Sequence, residues 1–259
     1  MDFLTIKKIH HTYFTKTSAA TALSDVSLEV KEGEFVSFLG PSGCGKTTLL
    51  SIIAGLINPT EGSVTIKGKP VKKADRSIGY MLQQDYLFPW KTIEENILIG
   101  LKLSKNLNES AKNYAFTLLE QMGLKGVEKQ YPKQLSGGMR QRVALVRTLA
   151  TEPMLLMLDE PFSALDYQTK LRLENLVSNT LKTFGKTAIL VTHDIGEAIA
   201  MSDRVFLFTA RPGSLHKTFI IPDELKKLSP FAARNHEVFL QIFQEIWEEL
   251  ESIGPAEKY

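Results

Sequence analysis

Short runs rich in Val, Ile, Leu and Met alternate with longer segments whose apolar residues recur at helical spacing. That alternation predicts an α/β architecture built on a mainly parallel sheet. Strands are expected at residues 34–39, 78–82, 154–158, 187–191 and 204–208, and the second, third and fourth are apolar enough to be covered on both faces. Between Trp90 and Ala150 the period becomes helical, with segments 92–103, 109–122 and 139–150 separated by breakers at Gly123, Gly126 and Pro132. This predicts a helical insertion at about 90–150. Leu173, Leu176, Val177, Leu181 and Phe184 share one helical face, and Val238, Phe239, Ile242, Phe243, Ile246, Trp247 and Leu250 share another. The second stripe is expected to pack on the chain's own core. The organisation implied is one domain over 1–221, carrying the insertion, and a helical extension over 222–259.

Composition narrows the partners. A chain of 259 residues with 43% hydrophobic content has enough apolar material for a substantial core. A net charge of +2, from 31 basic and 29 acidic residues, offers no concentrated basic face, so nucleic acid is not an expected partner. The single cysteine, Cys44, excludes an internal disulfide framework and fits a reducing compartment. Residues 1–11 lack a basic-then-apolar leader pattern, so no secretory signal is expected. The apolar run 49–57 falls well short of the ~18 residues a spanning helix needs. Any membrane role must therefore come through a partner.

Gly40-Pro41-Ser42-Gly43-Cys44-Gly45-Lys46-Thr47 fits the phosphate-loop pattern, between the strand at 34–39 and an apolar helix at 48–54. The glycines let successive backbone amides curl around a β-phosphate, and the helix that follows points its positive end at the anion. Lys46 is placed to reach the β and γ oxygens, and Thr47 to ligate Mg²⁺. A chance match in a chain this long is on the order of one in a hundred, and the correct flanks lower that further. Cys44 has no evident base beside it and is expected to be chemically inert, contributing only backbone to the loop.

The strand at 154–158 runs into Asp159 and Glu160. Two carboxylates at the carboxyl edge of a sheet are what a nucleotide hydrolase needs: Asp159 to hold Mg²⁺, directly or through water, and Glu160 to polarise the attacking water as general base. Upstream, Ser136 can cap a helix beginning near Met139 while Gly137 and Gly138 bare the backbone, making a second anion-binding helix end.

Leu135-Ser136-Gly137-Gly138-Met139-Arg140-Gln141-Arg142 resembles the signature motif of ABC ATPases, and the resemblance extends over essentially the whole chain. It implies a P-loop NTPase core with a mainly parallel sheet, an antiparallel β edge and a helical subdomain, binding ATP with Mg²⁺. The nucleotide contacts it implies run from Gly40 through Thr48. Gln83 resembles the Q-loop glutamine that senses Mg²⁺ and the attacking water; its spacing to Pro89 and Trp90 favours it over Gln84. Ser163-Ala164-Leu165-Asp166 resembles the D-loop that crosses the dimer interface, and His193 the switch histidine that contacts the γ-phosphate. Asp194 and Glu197 are expected to serve the start of the next helix. Tyr13 resembles the aromatic that stacks on adenine, with Phe14 and His11 as alternatives.

The resemblance further implies a second nucleotide-binding subunit facing this one head to tail, most simply another copy, so that ATP lies between one phosphate loop and the other signature. It also implies an integral membrane permease, an indirectly linked solute-binding protein, and a peripheral place on the cytoplasmic face of the cell membrane. Leu87-Phe88-Pro89-Trp90 and Phe208-Thr209-Ala210-Arg211-Pro212-Gly213-Ser214 resemble the importer group for nitrate, alkanesulfonates and taurine. Competing readings are a soluble ABC ATPase acting on ribosomes or nucleic acid, and the cassette of an exporter with a separate permease. A small-molecule kinase would explain the phosphate loop but not the signature, Gln83 and His193 together.

Overall fold

The computed structural model describes residues 2–75, 77–163 and 165–253. Ala164 of the expected D-loop and the side chain of Phe184 lie outside that description. In chain order the elements begin with β1 (Asp2–Phe14), β2 (Ala19–Lys31), β3 (Phe35–Leu39), α1 (Lys46–Ile53), β4 (Glu61–Ile66) and β5 (Lys69–Pro70). Next come β6 (Ile78–Met81), α2 (Ile93–Leu103), α3 (Glu109–Gln121), α4 (Gly137–Leu149), β7 (Leu155–Asp159) and α5 (Tyr167–Phe184). The chain ends with β8 (Thr187–Thr192), α6 (Ile195–Met201), β9 (Arg204–Phe208), β10 (Leu215–Ile220), α7 (Asp223–Lys226), α8 (Pro230–Ala233) and α9 (Glu237–Ile253). Two compact units divide the chain, one of residues 1–75 with 178–259 and the other of 76–177.

In the first unit β3 lies parallel to both β8 and β9, and β10 closes that edge antiparallel to β9. β3 and β8 are buried at every position, including Ser37, Thr187 and Thr192, as their largely apolar sequences demand. Phe38 of β3 meets Phe206 and Phe208 of β9 edge-on, with ring centroids 5.9 and 5.3 Å apart. A separate antiparallel sheet in the order β2-β1-β4-β5 is made of strands that the periodicity did not locate. The register of β1 against β2 shifts four times, so the alternation of inward and outward residues slips along the strand. A period-two pattern cannot survive those shifts.

The apolar stripe of α9 is seated within this unit. Phe239, Ile242 and Ile246 join Ile195 and Ile199 of α6 in one buried cluster, while Trp247 stays at its margin, stacked on Phe243 with centroids 6.4 Å apart. In the second unit β6 and β7 pair in parallel, and α2, α3 and α4 form the helical part. Thr92 and Glu95 make a reciprocal capping box at the start of α2, and Asn108 caps α3. Among the described residues no helix is long and apolar enough to cross a membrane.

At the entry to β3, Glu34 accepts hydrogen bonds from Arg204 at 2.5 and 2.7 Å and from the Lys31 amide at 2.8 Å. Burial pushes its carboxyl upward, but Arg204 and that amide hold it below the ordinary carboxylate range. A folded pKa below the unfolded value stabilises above the unfolded value and ceases to do so as pH falls through the folded one. Arg204→Met is therefore expected to lower stability at pH 7 by about 2 kcal/mol. The gap between the urea midpoints of variant and wild type should narrow as the pH drops below 4.5, the unperturbed value.

Candidate functional site

The first unit carries the phosphate loop between β3 and α1. Gly43 and Gly45 take φ values of +76° and +89°, which a residue with a β-carbon rarely adopts. Gly45 is also the N-cap of α1 and makes no side-chain cap, so the first amides of the helix are left to face an anion. Lys46 is buried, its ammonium donating to the carbonyls of Gly40 at 2.7 Å and Pro41 at 3.0 Å. Its charge is thereby held within the curl of the loop. The Cys44 side chain is buried, and Thr47 is exposed beside Thr48 at the start of α1.

Tyr13, at the end of β1, is hydrogen-bonded through its hydroxyl to Thr48 Oγ1 at 3.2 Å. Its ring is half exposed and meets that of His11 edge-on, 4.6 Å between centroids. Phe14 is 73% exposed and His11 only 8%, so of the three aromatics Tyr13 alone combines an open face with a link to the helix that starts at the phosphate loop. His193 follows β8 and is exposed. The next residue, Asp194, caps α6 by accepting from the Glu197 amide at 3.0 Å, and Glu197 turns its buried carboxylate to Thr192 Oγ1 at 2.5 Å.

The second unit brings together Gln83, Glu160 and the signature helix α4. Asp159 is buried at the end of β7. Glu160, one residue on, has φ of +49°, an unusual backbone for a residue with a side chain. Its carbonyl is what fixes that turn, accepting from Gln141 Nε2 at 3.2 Å and from Ser163 Oγ at 3.0 Å. Its carboxylate accepts from Gln83 Nε2 at 3.2 Å. Ser136 caps α4 through the Met139 amide at 3.3 Å, so Gly137 and Gly138 form the first turn, two residues earlier than the pattern predicted. Asp166 caps α5, and the Thr169 amide it accepts holds its carboxyl below the usual range.

Sequence reasoning did not single out three side chains of α4. Besides Gln141, Arg140 pairs with Asp85 at 3.0 Å, and Arg147 donates to the carbonyls of Asp85 at 2.7 Å and Tyr86 at 2.9 Å. These arginines clamp the segment just beyond Gln83. Two basic residues seven apart on one helix share a face, and that spacing was the available signal. Gln83, Tyr86, Gly137, Arg140 and Gln141 line a groove of about 430 Å³. Among the described residues no group of three or more His, Cys, Asp or Glu forms a self-contained metal site.

An α/β cassette with a phosphate loop and a capped glycine-pair helix is the class that this fold and these residues define. The sequence model described as ABC transporter matches residues 23–163. The uncharacterized ABC transporter ATP-binding protein YtlC of Bacillus subtilis is 60% identical, covering 100% of this chain and 99% of its own length. The aliphatic sulfonates import ATP-binding protein SsuB of Bacillus licheniformis is 42% identical over 95% of this chain and 93% of its own. The taurine import ATP-binding protein TauB of Jannaschia sp. is 40% identical over 90% and 89%. A solved dimeric ATP-binding cassette, in a post-hydrolysis state bound to ADP and Pi, superposes with a TM-score of 0.78 at 34% identity, over 85% of this chain and 99% of that one. The chain belongs to the ABC transporter family. With that membership the enzyme class stands as ATP hydrolase coupled to transmembrane transport.

Gln141→Ala removes one restraint on the Glu160 carbonyl. It is expected to lower kcat for ATP about tenfold while KM changes little, because a small displacement of the Glu160 carboxylate costs turnover rather than binding. Steady-state phosphate release across an ATP titration reads both constants.

Proposed function

We propose that this chain is the ATP-hydrolysing subunit of an importer for a small solute: nitrate, an alkanesulfonate, taurine or a related compound. The observation that carries the chemistry is Glu160, set in a left-handed turn after β7 with its carboxylate engaged by Gln83. The relatives named for import of aliphatic sulfonates and taurine support the cargo class.

In this reading the amides from Gly40 through Gly45, with Lys46, Thr47 and Thr48, hold the phosphates, and Tyr13 stacks on adenine. Lys46 exchanges its two carbonyl partners for phosphate oxygens. Glu160 accepts a proton from water as the water oxygen bonds to the γ-phosphorus and the bridge to the β-phosphate breaks, giving ADP and phosphate. Gln83 orients that water and His193 contacts the γ-phosphate. Magnesium, when bound, neutralises the β and γ oxygens. The hydroxyl of Thr47, the carboxylate of Asp159 and the amide oxygen of Gln83 are hard oxygen donors of the type it prefers, and burial of Asp159 suits a carboxylate that meets a cation.

Ser136, Gly137, Gly138 and Asp166 serve the nucleotide of a second cassette, most simply another copy of this chain. The solved relative described as dimeric supports that arrangement. Residues 1–221 form the cassette, the helical part at about 90–150 receives an integral membrane permease, and 222–259 is a helical extension. The subunit works on the cytoplasmic face of the cell membrane, supplied indirectly by a solute-binding protein.

Lys46→Ala should raise the Kd for ATP more than tenfold, through loss of a charge-assisted contact. Glu160→Gln should retain ATP affinity, lose turnover and accumulate an ATP-dependent dimer in light scattering; a monomer at saturating ATP would count against the scheme. Affinity purification from detergent-solubilised membranes should recover a polytopic permease. Recovery only with ribosomes or nucleic acid would overturn the transport role and leave the ATPase chemistry standing.

A further inference from the structure

The turn between β9 and β10, Thr209 to Ser214, has no part in the chemistry above, yet it is built against the phosphate loop. It is closed internally: the Thr209 amide donates to the Ser214 carbonyl at 3.0 Å, and Thr209 Oγ1 donates to the Pro212 carbonyl at 3.1 Å and accepts from the Ser214 amide at 3.0 Å. It is pinned to β2, where the Gly213 amide donates to the Ala22 carbonyl and the Gly213 carbonyl accepts from the Ser24 amide, both at 2.9 Å. And it touches the loop itself. A β-carbon on Gly213 would stand 1.8 Å from the Cys44 carbonyl oxygen.

This scaffold sets Arg211 on the loop. A β-carbon on Gly43 would lie 2.8 Å from Arg211 Nη2 and 3.2 Å from Nε, so the guanidinium packs on the open side of that glycine. Arg211 is exposed, and among the described residues its guanidinium has no hydrogen-bond or ion-pair partner. Lys46, by contrast, is already tied to two carbonyls. Five unmet donors on a rigidly mounted cation match an oxyanion.

We propose that Arg211 is a second phosphate-facing cation of the nucleotide site, a positioning residue that raises affinity for the polyphosphate through its charge. The inference rests on the ATPase reading above. A phosphate oxygen accepting from the Gly43 amide would lie within about 9 Å of the guanidinium, given standard bond and hydrogen-bond lengths. That is close to the screening length at physiological salt, so the effect must weaken as salt is added.

The test is equilibrium binding of ATP and ADP to wild type, Arg211→Gln and Arg211→Lys at about 20 and about 500 mM salt, with thermal melting alongside. The expected result is an ATP Kd raised about five- to tenfold in Arg211→Gln at low salt, a smaller rise for ADP, and recovery to within about twofold in Arg211→Lys. The difference should contract at high salt with melting temperatures unchanged. Wild-type affinity in Arg211→Gln would overturn the role, as would equal losses in both variants accompanied by lower melting temperatures, which mark packing rather than charge. Failure of the wild-type chain to bind ATP would instead sink the underlying ATPase reading.

Discussion

Backbone packed directly on backbone around the phosphate loop is the constraint on which the nucleotide site depends. Gly213 fills the space beneath the Cys44 carbonyl, and Gly45 sits where a β-carbon would stand 2.7 Å from the Ala22 carbonyl. Neither approach tolerates a side chain. The shape of the loop is therefore set by β2 and by the β9–β10 turn, elements far from it in sequence. Amides that are aimed in advance bind an anion without first paying for their own ordering.

In the second unit one helix does comparable work. α4 starts at a capped pair of glycines, holds the Glu160 carbonyl through Gln141, and grips the chain after Gln83 through Arg140 and Arg147. The capped glycine pair, the Glu160 turn and the Gln83 segment are thus held by a single helix. A rotation of α4 would move all three together.

The division of chemistry along the chain follows from charge. Binding a polyanion needs amides and cations, which the first unit concentrates around Lys46. The second unit carries Glu160, whose carboxylate accepts from Gln83. Of the two adjacent carboxylates Asp159 is buried, and Glu160 takes the left-handed backbone.

The five expected strands each coincide with an observed strand to within one residue at either end, and the helices of the second unit to within two. Fully buried strands and capped helices carry local signals strong enough to be read from sequence: unbroken apolar runs, a Thr or Ser at the right place, a glycine where the chain must stop. The phosphate loop, Asp159, Glu160 and the signature were legible for the same reason, since each is a contiguous motif. β1, β2, β4, β5 and β10 were not located, because bulges break the alternation of β1 and exposed edges dilute it elsewhere. The role of Gln141 and the contact of Arg211 with Gly43 carried no signal, and the only one for Arg147 was its spacing from Arg140. Sequence alone determined which chemical groups the protein owns and the local elements that carry them. Tertiary structure decided that Gln141 holds the Glu160 carbonyl, that Arg147 holds those of Asp85 and Tyr86, and that Arg211 lies on Gly43, because these contacts join residues about 20 to 170 positions apart and no local pattern encodes them.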